Sequence, residues 1–416
     1  MKGALRIFLL LSVGASACKV IPGPESPQAP QAPQPEPAPT PTTTPTTVPD
    51  GGAAPVSCRP ERSEPIKVAA GRLRHCVIDV GSRNVKLVVA SMQEEDPRSI
   101  KSERLCRSRR QLGEKTFDQK AKAARPLGPE DQQALAQLLG DYAALCKQDG
   151  GELTGAIATE WARRATNGKE IVEAMKAAGV NLHILSRDDE ARYGYLAATR
   201  GAPGKIVVDF GSRSLQLSYW PRGAKDPATA SVPLGIDEVG DRFFGKKDEF
   251  RKYAPARDAF LTAVRSELAP HIAAIRRAFK ASTLSPQLFS LAENGDVPLA
   301  LDGKLWNGAK GVDEATYASL VKARPSSPTA EYGPVTVVLP PKELAAFSKK
   351  LEGDNKLFEE LRSDRLKRIY GYKMLAFPAL VGALAEDLKL EEVVLVPQEM
   401  PEGLMVEKLR EGRAEK

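Results

Sequence analysis

Apolar and polar positions alternate in two stretches that repeat one another, IDVGSRNVKLVV at 78–89 and VDFGSRSLQLSY at 208–219. In each, an apolar residue precedes an aspartate, one more follows, and Gly-Ser-Arg leads back into alternation. Asp79 answers Asp209, Gly81 answers Gly211, Ser82 answers Ser212, Arg83 answers Arg213 and Leu87 answers Leu217. β-Branched runs favour extended backbone, so each copy predicts strand, tight turn, strand, with glycine supplying the positive φ of a short turn. Such a turn aims backbone N–H groups, hydroxyls and an arginine at one spot, which suits phosphate oxygens. One Asp-x-Gly-Ser turn also serves ordinary hairpins. Two copies about 130 residues apart predict two domains of one design, their turns facing a shared cleft.

The remaining periodicity supports an α/β class. In the first domain, placed at 70–202, HCVIDVGS and NVKLVVASM form a hairpin, and SIKSERLCRSRRQLGE reads as a strand ending in a basic turn. GPEDQQALAQLLGDYAALCKQ has apolar residues at helical spacing with Pro129 near its start. A buried strand at Gly155–Thr159, a turn and a helix follow. NLHILSRDDEARYGYLAAT then repeats strand and helix, with Ser186 as N-cap and Asp188, Asp189 and Glu190 in the first turn, where the helix dipole favours acids. The second domain, 203–405, opens on KIVVDFGSRSLQLSYW. ASVPLGIDEVGDRFF follows, with Gly235 ending a strand ahead of a helix. Helical patterns cover 255–281, 342–370 and 372–388, PQLFSLAENGDVPLAL reads as strand and loop, and EEVVLVPQ is a final buried strand. Residues 300–345 carry no clear pattern, and 406–416 read as a polar tail or a polar C-terminal helix.

The start of the chain reads as an address. Lys2 and Arg6 precede an apolar run from Ile7 to Val13 that is too short to span a bilayer, and small residues lead to Cys18. Residues 1–18 resemble a bacterial lipoprotein signal, in which Cys18 becomes the acylated N-terminus; Ala15 stands where such signals usually carry Leu. A secretory signal cut near Ala17 is the alternative, and both predict export. Three acyl chains, palmitate among them, would hold the protein at the cell envelope, on its periplasmic or outer-membrane face. Residues 19–60, rich in Pro, Gln, Ala and Thr, cannot bury a core and read as a disordered, semi-rigid tether.

Composition changes this picture little. With 42% hydrophobic and 27% charged residues the chain is globular beyond the tether. A formal charge of +7 suits a polyanionic partner, while 6% aromatics and no recognisable binding module argue against nucleic acid. Beyond Cys18, the residues Cys58, Cys76, Cys106 and Cys146 allow up to two disulfides in an exported protein, with three connectivities if all pair. Three histidines and no close cysteine pair argue against a zinc site and against a histidine-based triad.

Five segments in series, DVGSRNVKLVVA, GAIATEWARRATNG, ILSRDDEARYGYLA, VVDFGSRSLQLSYW and SVPLGIDEVGDRFF, resemble the exopolyphosphatase/guanosine pentaphosphate phosphohydrolase (Ppx/GppA) family in order and spacing. GYKMLAFPALVGALAEDLKLEEVVLVPQEMPEGLM resembles that family's closing helix, strand and Glu-Gly-Leu segment, so the likeness covers about 75–405. It implies the actin/hexokinase/Hsp70-type fold, two ribonuclease-H-like domains around a central cleft. It also implies removal of terminal phosphoryl groups from polyphosphate or guanosine pentaphosphate. By this resemblance Glu190 is the catalytic acid that orients or deprotonates water, and Arg163 holds a phosphate. Gly81, Ser82 and Arg83, with Gly211, Ser212, Arg213 and Ser214, form the two phosphate turns. Asp79 and Asp209 position Mg²⁺, directly or through water. The implied partner is polyphosphate or a phosphorylated small molecule, membrane contact runs through the N-terminal lipid only, and a homodimer is allowed.

The departures matter as well. The family's second turn, Asp-x-Gly-Gly-Gly-Ser-Thr-Glu, is here Asp209-Phe210-Gly211-Ser212-Arg213-Ser214-Leu215-Gln216. A carboxylate has become Gln216, a poorer Mg²⁺ ligand, and Arg83-Asn84 stands where the first turn has Asn-Ser. Arg187 replaces a glycine before the catalytic acid, and SLAENGDVP is the nearest counterpart of a Gly-Gly-Thr phosphate loop. Arg83 and Arg213 either clamp phosphates or pair with Asp79, Asp209 or Glu190. Two expectations follow: a phosphohydrolase acting outside the cytoplasm, or a catalytically degenerate protein that binds a polyanion or envelope component in the same cleft.

Overall fold

The alternation at 78–89 folds as the predicted hairpin: strand β1 (Leu73–Val80) pairs antiparallel with β2 (Asn84–Gln93), Asp79 opposite Lys86. The computed structural model describes residues 58, 65–66, 71–93, 96–118, 121–245, 252–291, 337–353, 373–396 and 398–414. The signal with Cys18, nearly all of the tether and the patternless 300–336 lie outside the described residues.

β3 (Asp96–Arg109) extends the hairpin antiparallel to β2. After a short ribbon of β4 (Phe117–Asp118) and β5 (Ala123–Ala124), β6 (Glu152–Ala158) pairs parallel with β1 and β7 (Leu182–Ile184) with β6. The first sheet therefore runs β3-β2-β1-β6-β7. The second copy repeats the scheme. β8 (Lys205–Phe210), β9 (Leu215–Trp220) and β10 (Ala228–Val232) make an antiparallel meander. β11 (Gln287–Ser290) then runs parallel to β8, and β13 (Glu392–Leu395) parallel to β11. The order is β10-β9-β8-β11-β13, closed at its edge by an antiparallel β12 (Val337–Leu339), a strand the sequence pattern did not predict. Three residues next to Pro340 are too few to show a period. Two sheets of one order are the two ribonuclease-H-like halves, and both belong to one compact unit, residues 50–416.

Helices complete both halves. Pro129–Gln148 begins at Gly128 with Pro129 at its first position, as predicted, and Ser186 caps the helix Arg187–Thr199 by accepting from the Asp189 N–H at 3.0 Å. Arg187–Thr199 is the spine of the molecule. Its Tyr193, Tyr195, Leu196 and Ala197 join Val77 and Val88 of the first sheet and Val207 and Trp220 of the second in one buried cluster. That cluster decides where the acids point. Strand side chains alternate, so two residues beyond Val77 and Val207 the side chains of Asp79 and Asp209 lie on the same inter-sheet faces.

Two expectations are corrected. Neither Gly81 nor Gly211 has a positive φ; both turns instead close with the glycine N–H donating to a carbonyl three residues on, Asn84 at 2.9 Å and Ser214 at 3.0 Å. Residues 406–414 are helix, not tail, and not polar throughout. They continue the helix Pro401–Ala414, in which Val406 and Glu407 are buried and which packs on the spine helix. A Cβ at Gly403 would collide with the Tyr193 backbone, so a glycine there permits the two helices to touch. Of the helix expected over 342–370, the stretch Pro341–Gly353 is helical and the rest lies outside the described residues.

The four cysteines resolve to one connectivity, Cys58–Cys106 and Cys76–Cys146, with Cα separations of 5.8 and 6.1 Å. Both bridges lie in the first half, and Cys58–Cys106 fastens the end of the tether to β3.

Candidate active site

The repeated turns meet. Asp79, Gly81, Ser82 and Arg83 of the first copy and Asp209, Gly211, Ser212, Arg213 and Ser214 of the second line one polar cavity with Glu190. The cavity has a volume of about 80 Å³, room for several waters or one phosphoryl group. Both turns are also held alike from behind. Gly113 N–H donates to the Ser82 carbonyl at 2.8 Å, while Ile236 and Asp237 N–H donate to Gly211 and Ser212 carbonyls at 3.0 Å each. A Cβ at Gly235 would collide with the Arg213 backbone, so glycine is required where that chain passes the second turn.

Glu190 stands in the first turn of the spine helix, buried, and its acidic neighbours do other work. Asp189 serves the cap with Ser186, and Asp188 accepts from Thr229 Oγ1 at 2.8 Å. Arg163 Nη2 donates to Glu190 Oε2 at 2.6 Å, and the Ser214 hydroxyl reaches Glu190 from the opposite half. Gln216 Nε2 in turn donates to Ser214 Oγ at 2.7 Å. Burial pushes the Glu190 carboxyl above its ordinary range, and Arg163 only partly opposes this.

Arg163, expected at a phosphate, is not among the cavity-lining residues. Its donors are engaged elsewhere: Nε and Nη2 to Glu160 Oε2 at 3.0 and 2.8 Å, Nη1 to the Leu185 carbonyl at 2.6 Å, and Nη2 to Glu190. Glu160 gathers Arg163, Arg164 at 2.9 Å and Arg187 at 3.0 Å. Burial alone would raise the Glu160 carboxyl, but the three guanidinium groups outweigh it and hold it down to about 2. Arg163 therefore fixes the catalytic candidate in place of binding substrate.

The arginines of the turns also differ from expectation. They pair with none of Asp79, Asp209 or Glu190 among the described contacts; both turn toward Asp237. Arg83 forks onto it, with Nε 3.3 Å from Oδ2, and Arg213 Nε lies 3.8 Å from the same oxygen. Arg213 Nη1 is 3.9 Å from Glu238. Burial raises the Asp237 carboxyl, against the pull of Arg83 and Arg213.

The two aspartates face unlike residues across their ladders. Asp79 Oδ2 lies 3.7 Å from the Lys86 ammonium, which also meets Glu399 at 2.8 Å; Glu399 accepts from Arg107 at 2.9 Å and, with Met400, lines the cavity. Asp209 faces Gln216 across the β8–β9 ladder, and Gln216 Oε1 is buried with no hydrogen-bond donor. Among the described residues no three His, Cys, Asp or Glu side chains are grouped to hold a metal. The donor set still fits Mg²⁺ on one side: Asp209 lines the cavity, where its carboxylate suits an ion completed by water and substrate oxygens, whereas Gln216 does not line it. Asp79 does not fit, because Lys86 already supplies positive charge there.

Sequence reading missed Glu160, Lys86, Asp237 and Glu399. The first two had signals: Glu160 precedes Arg163 and Arg164 at helical pairing distance, and Lys86 is the hairpin partner of Asp79. The other two had no local signal.

The sequence pattern of the Ppx/GppA phosphatase family matches residues 88–288. The fold is similar to that of the Aquifex aeolicus Ppx/GppA family member, with a TM-score of 0.56 and 19% identity over 82% of this chain and 99% of that one. An exopolyphosphatase from Cytophaga hutchinsonii aligns with a TM-score of 0.52 and 14% identity over 81% of this chain and 98% of that one. Among curated proteins no relative matches this chain.

Proposed function

Because the chain belongs to the Ppx/GppA phosphatase family, we propose that it is a phosphohydrolase that removes terminal phosphoryl groups from polyphosphate or another phosphoanhydride outside the cytoplasm. The observation that carries this reading is the convergence of both turns and the buried Glu190 on one cavity. The terminal phosphoryl group would sit between the turns, within reach of the hydroxyls of Ser82, Ser212 and Ser214. Glu190, with a raised carboxyl and a fixed orientation from Arg163 and Ser214, would align a water and take its proton. Asp209 would hold Mg²⁺, whose charge would neutralise that of the phosphate when bound.

Export and acylation at Cys18 belong to the same proposal. The signal-like N-terminus supports it, as do two disulfides, which persist in oxidising compartments. Cys18→Ala should move the protein from the membrane to the soluble fraction.

Phosphate release from polyphosphate with Mg²⁺ tests the activity. Glu190→Gln should lower kcat about 10²–10⁴-fold with little change in KM, and the wild-type rate should rise with pH as Glu190 loses its proton. Absent wild-type activity, or an unaffected mutant, would sink the reading. The alternative, a binding protein without turnover, draws support from Gln216 in place of a carboxylate and from the engagement of Arg83 and Arg213 by Asp237.

A further inference from the structure

Arg83 and Arg213 come from opposite halves, one from each turn, yet both guanidinium groups lean on a single carboxylate. Arg83 crosses from the first half to Asp237 of the second. Arg213 packs the other way, its Nε 3.0 Å from where a Cβ on Gly113 would stand, and it is buried with Nη1 lacking any hydrogen bond. Both arginines line the cavity, whereas Asp237 is not among the lining residues. The acid thus stands behind the two cations and draws their charge away from the opening. A backbone N–H bond to the Ser212 carbonyl fixes it there, so it cannot follow an entering anion.

We propose that Asp237 is a specificity-determining residue of the cleft, holding back Arg83 and Arg213 so that an oligophosphate chain recruits them and a lone orthophosphate does not. The reasoning is electrostatic competition. An anion must outbid a carboxylate already within hydrogen-bond distance of Arg83. A chain carrying several negative charges on neighbouring phosphoryl groups can engage both guanidiniums at once, while a single phosphate offers less charge and a shorter reach. For a protein that releases orthophosphate, this arrangement keeps the product from occupying the site. The inference rests on the phosphate-binding part of the reading above.

Calorimetric titration of inorganic tripolyphosphate and orthophosphate in Mg²⁺-free, chelator-containing buffer tests it without turnover. Wild type should bind tripolyphosphate more tightly than orthophosphate. Asp237→Asn should tighten orthophosphate binding about tenfold or more, the scale of one released charge-assisted hydrogen bond, and so narrow the ratio. Arg83→Gln, at a partly exposed side chain, should weaken tripolyphosphate about tenfold and leave orthophosphate unchanged. Two results would overturn the proposal: an Asp237→Asn protein that melts like wild type with unaltered orthophosphate affinity, or an Arg83→Gln protein with unaltered tripolyphosphate affinity. If Asp237→Asn gives no cooperative melt, the Arg83→Gln titration decides alone. Tripolyphosphate bound but never hydrolysed with Mg²⁺ would remove the hydrolase reading and leave this one standing. Hydrolysis with an unchanged binding ratio in Asp237→Asn would do the reverse.

Discussion

In the first half of the molecule Asp79 faces Lys86 across its hairpin; in the second, Asp209 faces Gln216 at the same position of the ladder. One backbone device thus carries two chemistries. The first half brings its own cation and seals it among Asp79, Glu399 and Arg107. The second sets its carboxylate opposite a neutral amide, whose oxygen is buried without a hydrogen-bond donor. The halves also differ in their bracing. Both disulfides lie in the first, whereas the second relies on one large apolar cluster running from Ile206 to Leu395. Duplication fixes geometry, and each copy's own residues then divide the work.

The sharpest way to break this contrast is Lys86→Met. It leaves Asp79 and Glu399 buried without their ammonium and should cost about 3–5 kcal/mol in urea melts. Gln216→Met, which removes no charge, should cost far less; equal losses would show that the halves do not differ as described. Replacing Cys76 and Cys146 together by alanine opens a loop of sequence separation 70 and should cost about 4 kcal/mol. Hydrogen exchange should then quicken in the first sheet before the second. Acid should find the same half. Glu160 is held at about 2 against an ordinary value of 4.5, so its stabilisation is complete above 4.5 and fades as pH falls toward 2. That amounts to about 3 kcal/mol, and a flat stability curve across this window would contradict the three-arginine site. The smallest effect concerns the second half: Gln216→Glu restores a carboxylate beside Asp209 and should tighten Mg²⁺ binding about tenfold, measured by calorimetry on the ligand-free protein.

Some of this was legible in the chain and some was not. The hairpins 73–93 and 205–220 could be read because alternation and turn chemistry are local properties. The same holds for Ser186, whose capping bond spans three residues. The two aspartates could be placed because the repeat implied facing turns, and Glu190 because its segment resembles that of the family. Disulfide pairing was open among three choices, since connectivity depends on which strands and helices pack together. Arg163 was assigned to phosphate because its position resembled a motif; its actual partners are Glu160, three residues back on its own short helix, and Glu190 on the spine helix.

The amino-acid sequence by itself determined the two hairpins, their duplicated turns and the face on which each aspartate lies, because these follow from a period of two and from short-range sterics. Tertiary structure alone decided that Asp237 restrains the turn arginines, that Glu399 reaches Lys86 and that the closing helix returns to the spine. Those partnerships join residues up to 313 positions apart, and ion pairs form with whatever charge packing brings within a few ångströms.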